Sequence, residues 1–138
     1  MIDSNCIFCK IANGEIPSYT LYEDDDFKVI FDIAPATKGH AIIIPKEHYK
    51  NLFELSDDIA SKALVVAKKV ATKLCEHLNC DGFNLLQNNE EVAGQTVFHF
   101  HIHLIPRYVD DTVAFKTNPG SIDADFAKEL SDKIRESF

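Results

Sequence analysis

The chain has 138 residues, of which 46% are hydrophobic, so we expect a single domain over residues 1–138 with a buried core. Lysine and arginine number 14 against 22 aspartates and glutamates, and the formal charge of -8 argues against a nucleic-acid partner. No segment approaches the roughly 20 apolar residues of a membrane span, and the N-terminal residues lack the pattern of a secretion signal. We therefore expect a cytoplasmic protein with no membrane partner.

Short elements alternate in the first third of the chain. A helix of two turns is predicted from Cys6 to Asn13. Two β-prone runs, residues 18–22 and 27–31, flank an acidic turn and predict a hairpin. A third, β-branched strand covers residues 40–44 and stops at Pro45.

The remainder of the chain predicts two more helices and two more strands. Apolar residues recur at three- and four-residue steps from Ile59 to Leu78, which indicates one long helix with Ser56 as its N-cap. Strands are predicted over residues 83–86 and 97–105, the second ended by Pro106, and a short C-terminal helix follows around residues 126–134. The fold class is therefore α+β, with an antiparallel sheet of about five strands, one long helix and shorter N- and C-terminal helices.

Three histidines alternate with apolar residues in the last predicted strand. Because successive side chains of a strand point to opposite faces, His99, His101 and His103 share one face. The other face receives an apolar set: Phe98, Phe100, Ile102 and Leu104. Imidazoles pack less well than valine or isoleucine and must satisfy two ring nitrogens, so the row points to chemistry. The alternative is a row of half-exposed histidines on a solvated face.

Spacing also bears on whether one metal ion binds all three imidazoles. At about 3.3 Å per residue, positions 99 and 103 stand about 13 Å apart, whereas a zinc–nitrogen bond is only about 2.1 Å long. The step of about 6.6 Å between neighbouring histidines does leave room for a phosphoryl group between two imidazoles. Histidine can itself attack phosphorus and can act as an acid or a base near neutral pH. The spacing therefore favours phosphorus chemistry.

The run from His99 to Ile105 resembles the motif of the histidine triad family, in which histidines alternate with hydrophobic residues. The resemblance covers residues 6–108 and includes the segments 31–35, 39–48 and 94–96. It implies transfer or hydrolysis of a nucleoside monophosphate group by a homodimer that needs no catalytic metal. The nucleotide is then the small-molecule partner.

The resemblance also implies a role for each matched residue. His101 is the nucleophile on the α-phosphorus, His103 contacts the phosphate and assists the leaving group, and His40 is an additional active-site histidine. His99 completes the triad. Further positions match nucleotide-binding groups of the family: Asp32 and Ile33 at the ribose, and Asn88, Gly94, Gln95 and Thr96 at the phosphate and leaving group. The apolar residues Ile7, Phe8, Ile11, Leu21 and Ile30 are candidates for the base pocket or for ordinary core.

Cys6 and Cys9 form a CxxC pair, which needs two further ligands to close a four-coordinate zinc site. Similar bacterial members of the family can supply them from a Pro-x-x-His segment and from the first triad histidine, which are His48 and His99 here. The implied zinc is structural. The alternative is a pair of reduced cysteines with an exposed His48.

Several functions remain open on the sequence alone. The leading hypothesis is hydrolysis of nucleoside 5′-phosphoramidates or related nucleoside monophosphate conjugates. Alternatives are hydrolysis of dinucleoside polyphosphates, a nucleotide-binding regulatory module with incidental turnover, and a zinc-binding structural protein. The chain has no tryptophan, and its segment after Tyr108 does not resemble the C-terminus of the animal-type members. The preferred base and leaving group are therefore not carried over.

Overall fold

Five antiparallel strands form one sheet in the order β1-β2-β3-β5-β4. A computed structural model describes residues 2–138. Its elements are α1 (Ile7–Ala12), β1 (Thr20–Glu23), β2 (Phe27–Phe31), β3 (Ala41–Pro45), α2 (Asp57–Leu78), β4 (Gly82–Leu86), a 3-10 turn (Glu91–Ala93), β5 (Ile102–Arg107) and α3 (Ala124–Glu136). The predicted α+β class, the strand number and the three helices are confirmed.

The two faces of the sheet are covered by different helices. Alternation along β3 sends Ala41 and Ile43 to the side of α2, where they join the larger apolar core. Ile42 and Ile44 point the other way and pack with α1 in a smaller cluster. The sheet thus separates a large core from a thinner layer under α1.

Both of these helices begin directly after a residue whose side chain caps them. Ser56 Oγ accepts a hydrogen bond of 3.2 Å from the backbone N–H of Ile59, and acidic residues fill the first turn of α2. Cys6 caps α1, with its Sγ accepting from the N–H of Cys9 at 3.4 Å.

Over residues 2–138, none of the helices combines the length and the low polarity that crossing a bilayer demands.

The predicted boundaries of the last strand were wrong at both ends. β5 begins at Ile102 and not at residue 97, and Phe98 is exposed under Lys50 instead of joining the core. Pairing with β3 covers only residues 102–104, since the carbonyl of Pro45 is occupied by the side chain of His99. Pro106 lies within β5, where only β4 pairs beside it, so its missing N–H costs no ladder bond.

Candidate active site

The triad histidines lie on the sheet face under α1. His103 pairs with Ile42 of β3, and the alternation carries the two preceding histidines to the same side. His99 is 0% exposed and His101 is 7% exposed. The ring of Phe8 from α1 meets both edge-on, with its centroid 6.0 Å from that of His99 and 4.9 Å from that of His101. The structure therefore contradicts the alternative of a solvated histidine row.

The tautomer of His101 is set by the backbone. Its Nδ1 lies 2.6 Å from the carbonyl oxygen of His99, and a carbonyl can only accept. Nδ1 must therefore carry the proton and donate it. In the neutral ring, Nε2 then holds a lone pair and is the nucleophilic nitrogen.

A chain of hydrogen bonds sets the opposite tautomer in His103. The backbone N–H of Ala36 donates to Nδ1 of His40 at 3.0 Å, which leaves the proton of His40 on Nε2. This Nε2 lies 2.9 Å from Nδ1 of His103 and donates to it. His103 therefore carries its own proton on Nε2. The two neighbouring imidazoles, whose centroids are 4.9 Å apart, differ in that one offers an Nε2 lone pair and the other an Nε2–H.

Burial keeps these rings neutral. It lowers the pKa of His40 and of His101, and with the help of the two neighbouring imidazoles it lowers the pKa of His103 to about 4. The carboxylate of Asp32 acts in the opposite direction on all three but is outweighed by desolvation. Near pH 7 each ring therefore holds one proton, and the tautomer argument applies.

Asp32 connects the sheet to this group. Its backbone N–H donates to the carbonyl of His40 at 2.9 Å, and its Oδ1 accepts from the N–H of Ala34 at 2.8 Å. The second oxygen, Oδ2, lies 3.7 Å from Nε2 of His40. Oδ1 is therefore used by the backbone, and Oδ2 faces the ring of His40. Ile33 follows Asp32 on an exposed turn.

The apolar residues predicted as candidates for a base pocket lie on both faces of the sheet. Phe8 lies against the triad, while Ile7 beside it is half exposed at 50%. Ile11 and Ile30 are buried in the cluster under α1, and Leu21 packs on the opposite face of the sheet with the larger core. Phe8 is thus the candidate that contacts the triad, and Leu21 lies on the other face of the sheet.

Gln95 organises the loop that follows β4. It is 2% exposed, and its Oε1 accepts from the N–H of Glu90 at 2.8 Å. Its Nε2 donates to the carbonyl oxygens of Lys50 at 2.8 Å and Val97 at 3.1 Å. Both N–H donors of the amide are used, so Gln95 holds the loop and has none left to donate to a phosphate.

The other predicted phosphate residues lie on this loop. Asn88 donates through Nδ2 to the carbonyl of Gly94 at 3.4 Å, and Gly94 has a φ of 97°, a conformation that favours glycine. Thr96 is exposed. Over the part of the chain that is described, no hydrogen bond joins Asn88 or Thr96 to a triad imidazole. Their predicted contact with the phosphate therefore stays a prediction.

The four predicted metal ligands come together between α1 and the sheet. Nδ1 of His99 lies 3.4 Å from Sγ of both Cys6 and Cys9 and 3.2 Å from Nδ1 of His48. His99 donates through Nε2 to the carbonyl of Pro45 at 2.8 Å, so its Nδ1 holds the lone pair that faces the thiols. A tetrahedron with zinc–ligand bonds of about 2.0–2.3 Å has edges of about 3.3–3.8 Å. The cluster is thus compatible with zinc in both spacing and donor type.

Three backbone groups at the site were missed by the sequence interpretation. The carbonyls of Pro45 and His99 fix the rings of His99 and His101, and the N–H of Ala36 fixes that of His40. Backbone groups have no sequence signature of their own. The only signal was the tight loop before His40, in which the N–H of His40 bonds the carbonyl of Thr37 at 3.1 Å.

Comparison with known proteins places this site in a family. Residues 13–110 match the model of the HIT domain. The chain belongs to the HIT domain family. It is 38% identical over 137 residues to an adenosine 5′-monophosphoramidase of Schizosaccharomyces pombe, with 95% of this chain and 99% of that protein covered. The predictions of a histidine triad protein and of an enzyme of this family are thereby confirmed.

Two solved structures share the HIT fold of this chain. A crystal structure from Streptococcus mutans superimposes with a TM-score of 0.93 and 40% identity, covering 98% of this chain and 86% of that one. A zinc-bound histidine triad protein from Mycobacterium smegmatis superimposes with a TM-score of 0.75 and 37% identity, covering 83% and 84% of the two chains.

The role of Gln95 in holding the loop predicts a large effect on stability. We expect Gln95→Met to lower the free energy of unfolding by about 3 kcal/mol, because three backbone groups would lose a buried partner and each such loss costs ~1–3 kcal/mol. Chemical denaturation measures this change. Gln87→Met is the matched control, since the amide of Gln87 bonds only its neighbours Asn88 and Asn89. Equal losses in the two variants would contradict the assignment.

Proposed function

We propose that this HIT protein hydrolyses nucleoside 5′-phosphoramidates or related nucleoside monophosphate conjugates at the α-phosphorus. The observation that carries the proposal is the pair of opposite tautomers: His101 offers an Nε2 lone pair and His103 offers an Nε2–H beside it. An electron-pair donor next to a hydrogen-bond donor suits attack on a phosphoryl group whose oxygens gain charge.

The reaction proceeds in two displacements at phosphorus. Nε2 of His101 forms a bond to the α-phosphorus as the bond from phosphorus to the leaving nitrogen breaks, and that nitrogen departs with the electron pair. A hydroxyl then attacks phosphorus, the bond to His101 breaks, and its electron pair returns to Nε2. Over the two steps, one water molecule supplies both the hydroxyl that stays on phosphorus and the proton that the departing amine takes up. His103 donates its Nε2–H to a phosphoryl oxygen throughout.

The nucleoside is held beside the triad. Oδ2 of Asp32 accepts from the ribose hydroxyls, and the exposed side chain of Ile33 packs against the sugar. The base lies against the apolar surface of Ile7 and Phe8. Gly94 lets the backbone of the loop approach the phosphate, with Asn88 and Thr96 beside it. Gln95 contributes by positioning this loop.

The name of one relative supports the phosphoramidate as the leading substrate class. The S. pombe relative that aligns along 95% of this chain is an adenosine 5′-monophosphoramidase. Dinucleoside polyphosphates present the same α-phosphorus to the same nucleophile and are the second candidate substrates. A regulatory module that binds nucleotide without useful turnover is the alternative of a different class.

We also propose that Cys6, Cys9, His48 and His99 bind a structural zinc ion. Support comes from the spacing of the four donors and from the zinc-bound relative of M. smegmatis. The ion would tie α1 to the sheet, and its chemistry there is that of a closed, four-coordinate structural site. No step of hydrolysis passes through it, because His101 and His103 lie outside the ligand set.

The working form that we propose is a cytoplasmic homodimer. The four cysteines are too few and too unevenly spaced for the disulfide framework of a secreted protein, which supports a reducing compartment. Exposed apolar residues on α2 and α3, such as Val65 and Leu130, supply surface for self-association.

Replacement of the nucleophile tests the proposed reaction. We expect His101→Ala to lower release of AMP from adenosine 5′-phosphoramidate by roughly ten-thousand-fold, since no other side chain replaces the attacking nitrogen. AMP release is measured in parallel from a diadenosine polyphosphate. His77→Ala is the control, because His77 is an exposed histidine near the end of α2.

The outcomes rank the hypotheses. Faster release from the phosphoramidate, lost in His101→Ala and kept in His77→Ala, supports the proposal. Faster release from the polyphosphate favours the second substrate class. Wild-type protein that binds adenosine nucleotides and turns over neither substrate would favour the regulatory module.

Metal analysis tests the zinc proposal. We expect about one zinc ion per chain in the purified protein and its loss in Cys6→Ser and Cys9→Ser, because a closed site needs all four ligands. Chelation should lower the thermal midpoint of the wild type. Cys80→Ser is the matched control, since Cys80 lies beside Cys75 and outside the cluster. Unchanged zinc content in both cysteine variants would refute the ligand assignment.

A further inference from the structure

Two of the four cysteines lie outside the candidate zinc cluster. Cys75 is in the last turn of α2, Cys80 stands two residues before β4, and their Sγ atoms are 2.7 Å apart. Within residues 2–138, no cluster of three or more metal donors includes either of them. The pair is therefore a separate feature, which neither the proposed hydrolysis nor the proposed zinc site uses.

The end of α2 brings the two thiols together. In a continuing helix, side chains five residues apart would point about 140° away from each other. Asn79 instead takes left-handed backbone angles, with φ 52° and ψ 44°, and its N–H donates to the carbonyl of Cys75 at 2.9 Å. Asparagine tolerates this conformation at a helix end. The helix thus ends in a turn that places Cys80 against Cys75.

The chain after Cys80 is anchored to the end of β5. The N–H of Asp81 donates to the carbonyl of Arg107 at 2.8 Å, and Oδ2 of Asp81 accepts from the N–H of Val109 at 2.9 Å. A disulfide bond is about 2.05 Å long, so the two sulfurs need to approach by only about 0.7 Å. The fold therefore holds the two sulfurs close to bonding distance.

The two thiols differ in how readily they react. Both are partly exposed, so a small molecule can reach them. Burial, together with the hydrogen bond to Cys80, raises the pKa of Cys75 to about 11, and near pH 7 Cys75 keeps its proton. Because the thiolate is the form that attacks a disulfide, Cys80 is the sulfur that reacts first. Cys75 is then placed to attack the sulfur of Cys80.

The segment between the two cysteines supports the loop that leads to the active site. Leu78 lies between Cys75 and Cys80, and its side chain packs so closely on Gly39 that a Cβ at Gly39 would collide with its Cδ1. Gly39 directly precedes His40. The pair thus lies one side chain away from the loop that carries His40.

We propose that Cys75 and Cys80 form a reversible disulfide by exchange with a small-molecule disulfide. The Cys80 thiolate attacks one sulfur of the small disulfide, whose bond breaks and whose other sulfur leaves as a thiolate. Cys75 then attacks the sulfur of Cys80, and the second small thiolate departs. The protein loses two electrons, the small disulfide gains them, and the protons of the two cysteines end on the two small thiols.

The proposed site responds to the balance between small disulfides and small thiols. In a compartment rich in thiols the pair stays reduced, and a rise in disulfides oxidises it. This modification site goes beyond the proposed hydrolase activity and does not depend on it.

Equilibration of the full-length protein with bis(2-hydroxyethyl) disulfide and 2-mercaptoethanol, in the presence of zinc, tests the site. After an acid quench, the remaining thiols are alkylated and the peptides are weighed. Cleavage after Glu76 separates the two cysteines, so only a disulfide keeps their peptides joined. We expect joined peptides that are lighter than the two thiol peptides by the mass of two hydrogens. Excess 2-mercaptoethanol should separate them again.

The fold should favour this disulfide. We expect its equilibrium constant to be about tenfold higher in the folded protein than in the same chain in denaturant, because the turn at Asn79 holds the sulfurs together only in the fold. By linkage, oxidation should then lower the equilibrium constant for unfolding by the same factor and raise the thermal midpoint.

Matched variants test the order of the two steps. Cys75→Ser should stop at a mixed disulfide on Cys80, because the second attacking sulfur is missing. Cys80→Ser should collect mixed disulfide about tenfold more slowly, since Cys75 keeps its proton. Both should lose the joined peptides. Asn79→Gly is the control, because glycine adopts the same left-handed angles and both thiols remain, so the yield of joined peptides should be unchanged.

Three results would overturn the proposal. One is full alkylation of both cysteines at every ratio of disulfide to thiol. Another is a wild-type protein that stops at mixed disulfides, and the third is an equilibrium constant no higher in the folded protein than in denaturant. Phosphoramidate hydrolysis and zinc content are measured separately, so failure here leaves those two proposals untouched, and their failure leaves this site untouched.

Discussion

Burial of the histidine row under α1 is the constraint on which the site depends. A buried imidazole loses the solvation that its charged form needs, so it stays neutral and has a single N–H to place. The surrounding backbone provides a carbonyl for His101, another for His99, and an N–H that directs the proton of His40. The tautomers are therefore properties of the fold, and the chemistry proposed for His101 and His103 follows from them.

The same row serves two regions of the molecule. His99 turns its lone pair toward the cysteines, and its backbone carbonyl receives the N–H of His101. One residue thus joins the candidate zinc cluster to the proposed nucleophile. A zinc ion that fixed His99 would also fix the orientation of His101, although it would take no part in the bond changes at phosphorus.

Much of the architecture was predictable because it rests on local pattern. The period of α2, its cap at Ser56 and the alternation of residues 99–104 each follow from the spacing of apolar residues. The start of β5 could not be predicted in this way, because it depends on which backbone carbonyls of β3 remain free to pair. The carbonyl of Pro45 is taken by the side chain of His99. Similarly, the match of residues 94–96 to the family predicts that Gln95 binds the ligand. Only the fold shows that its side-chain amide bonds three backbone groups.

The proposed division of roles within the triad rests on where two protons lie, which long-range proton–nitrogen correlation NMR of the nitrogen-15-labelled protein measures directly. At pH 7 the structure predicts that His101 carries its proton on Nδ1 and His103 on Nε2, both rings neutral. An Nε2-protonated His101, or a charged His103 at that pH, would contradict the account.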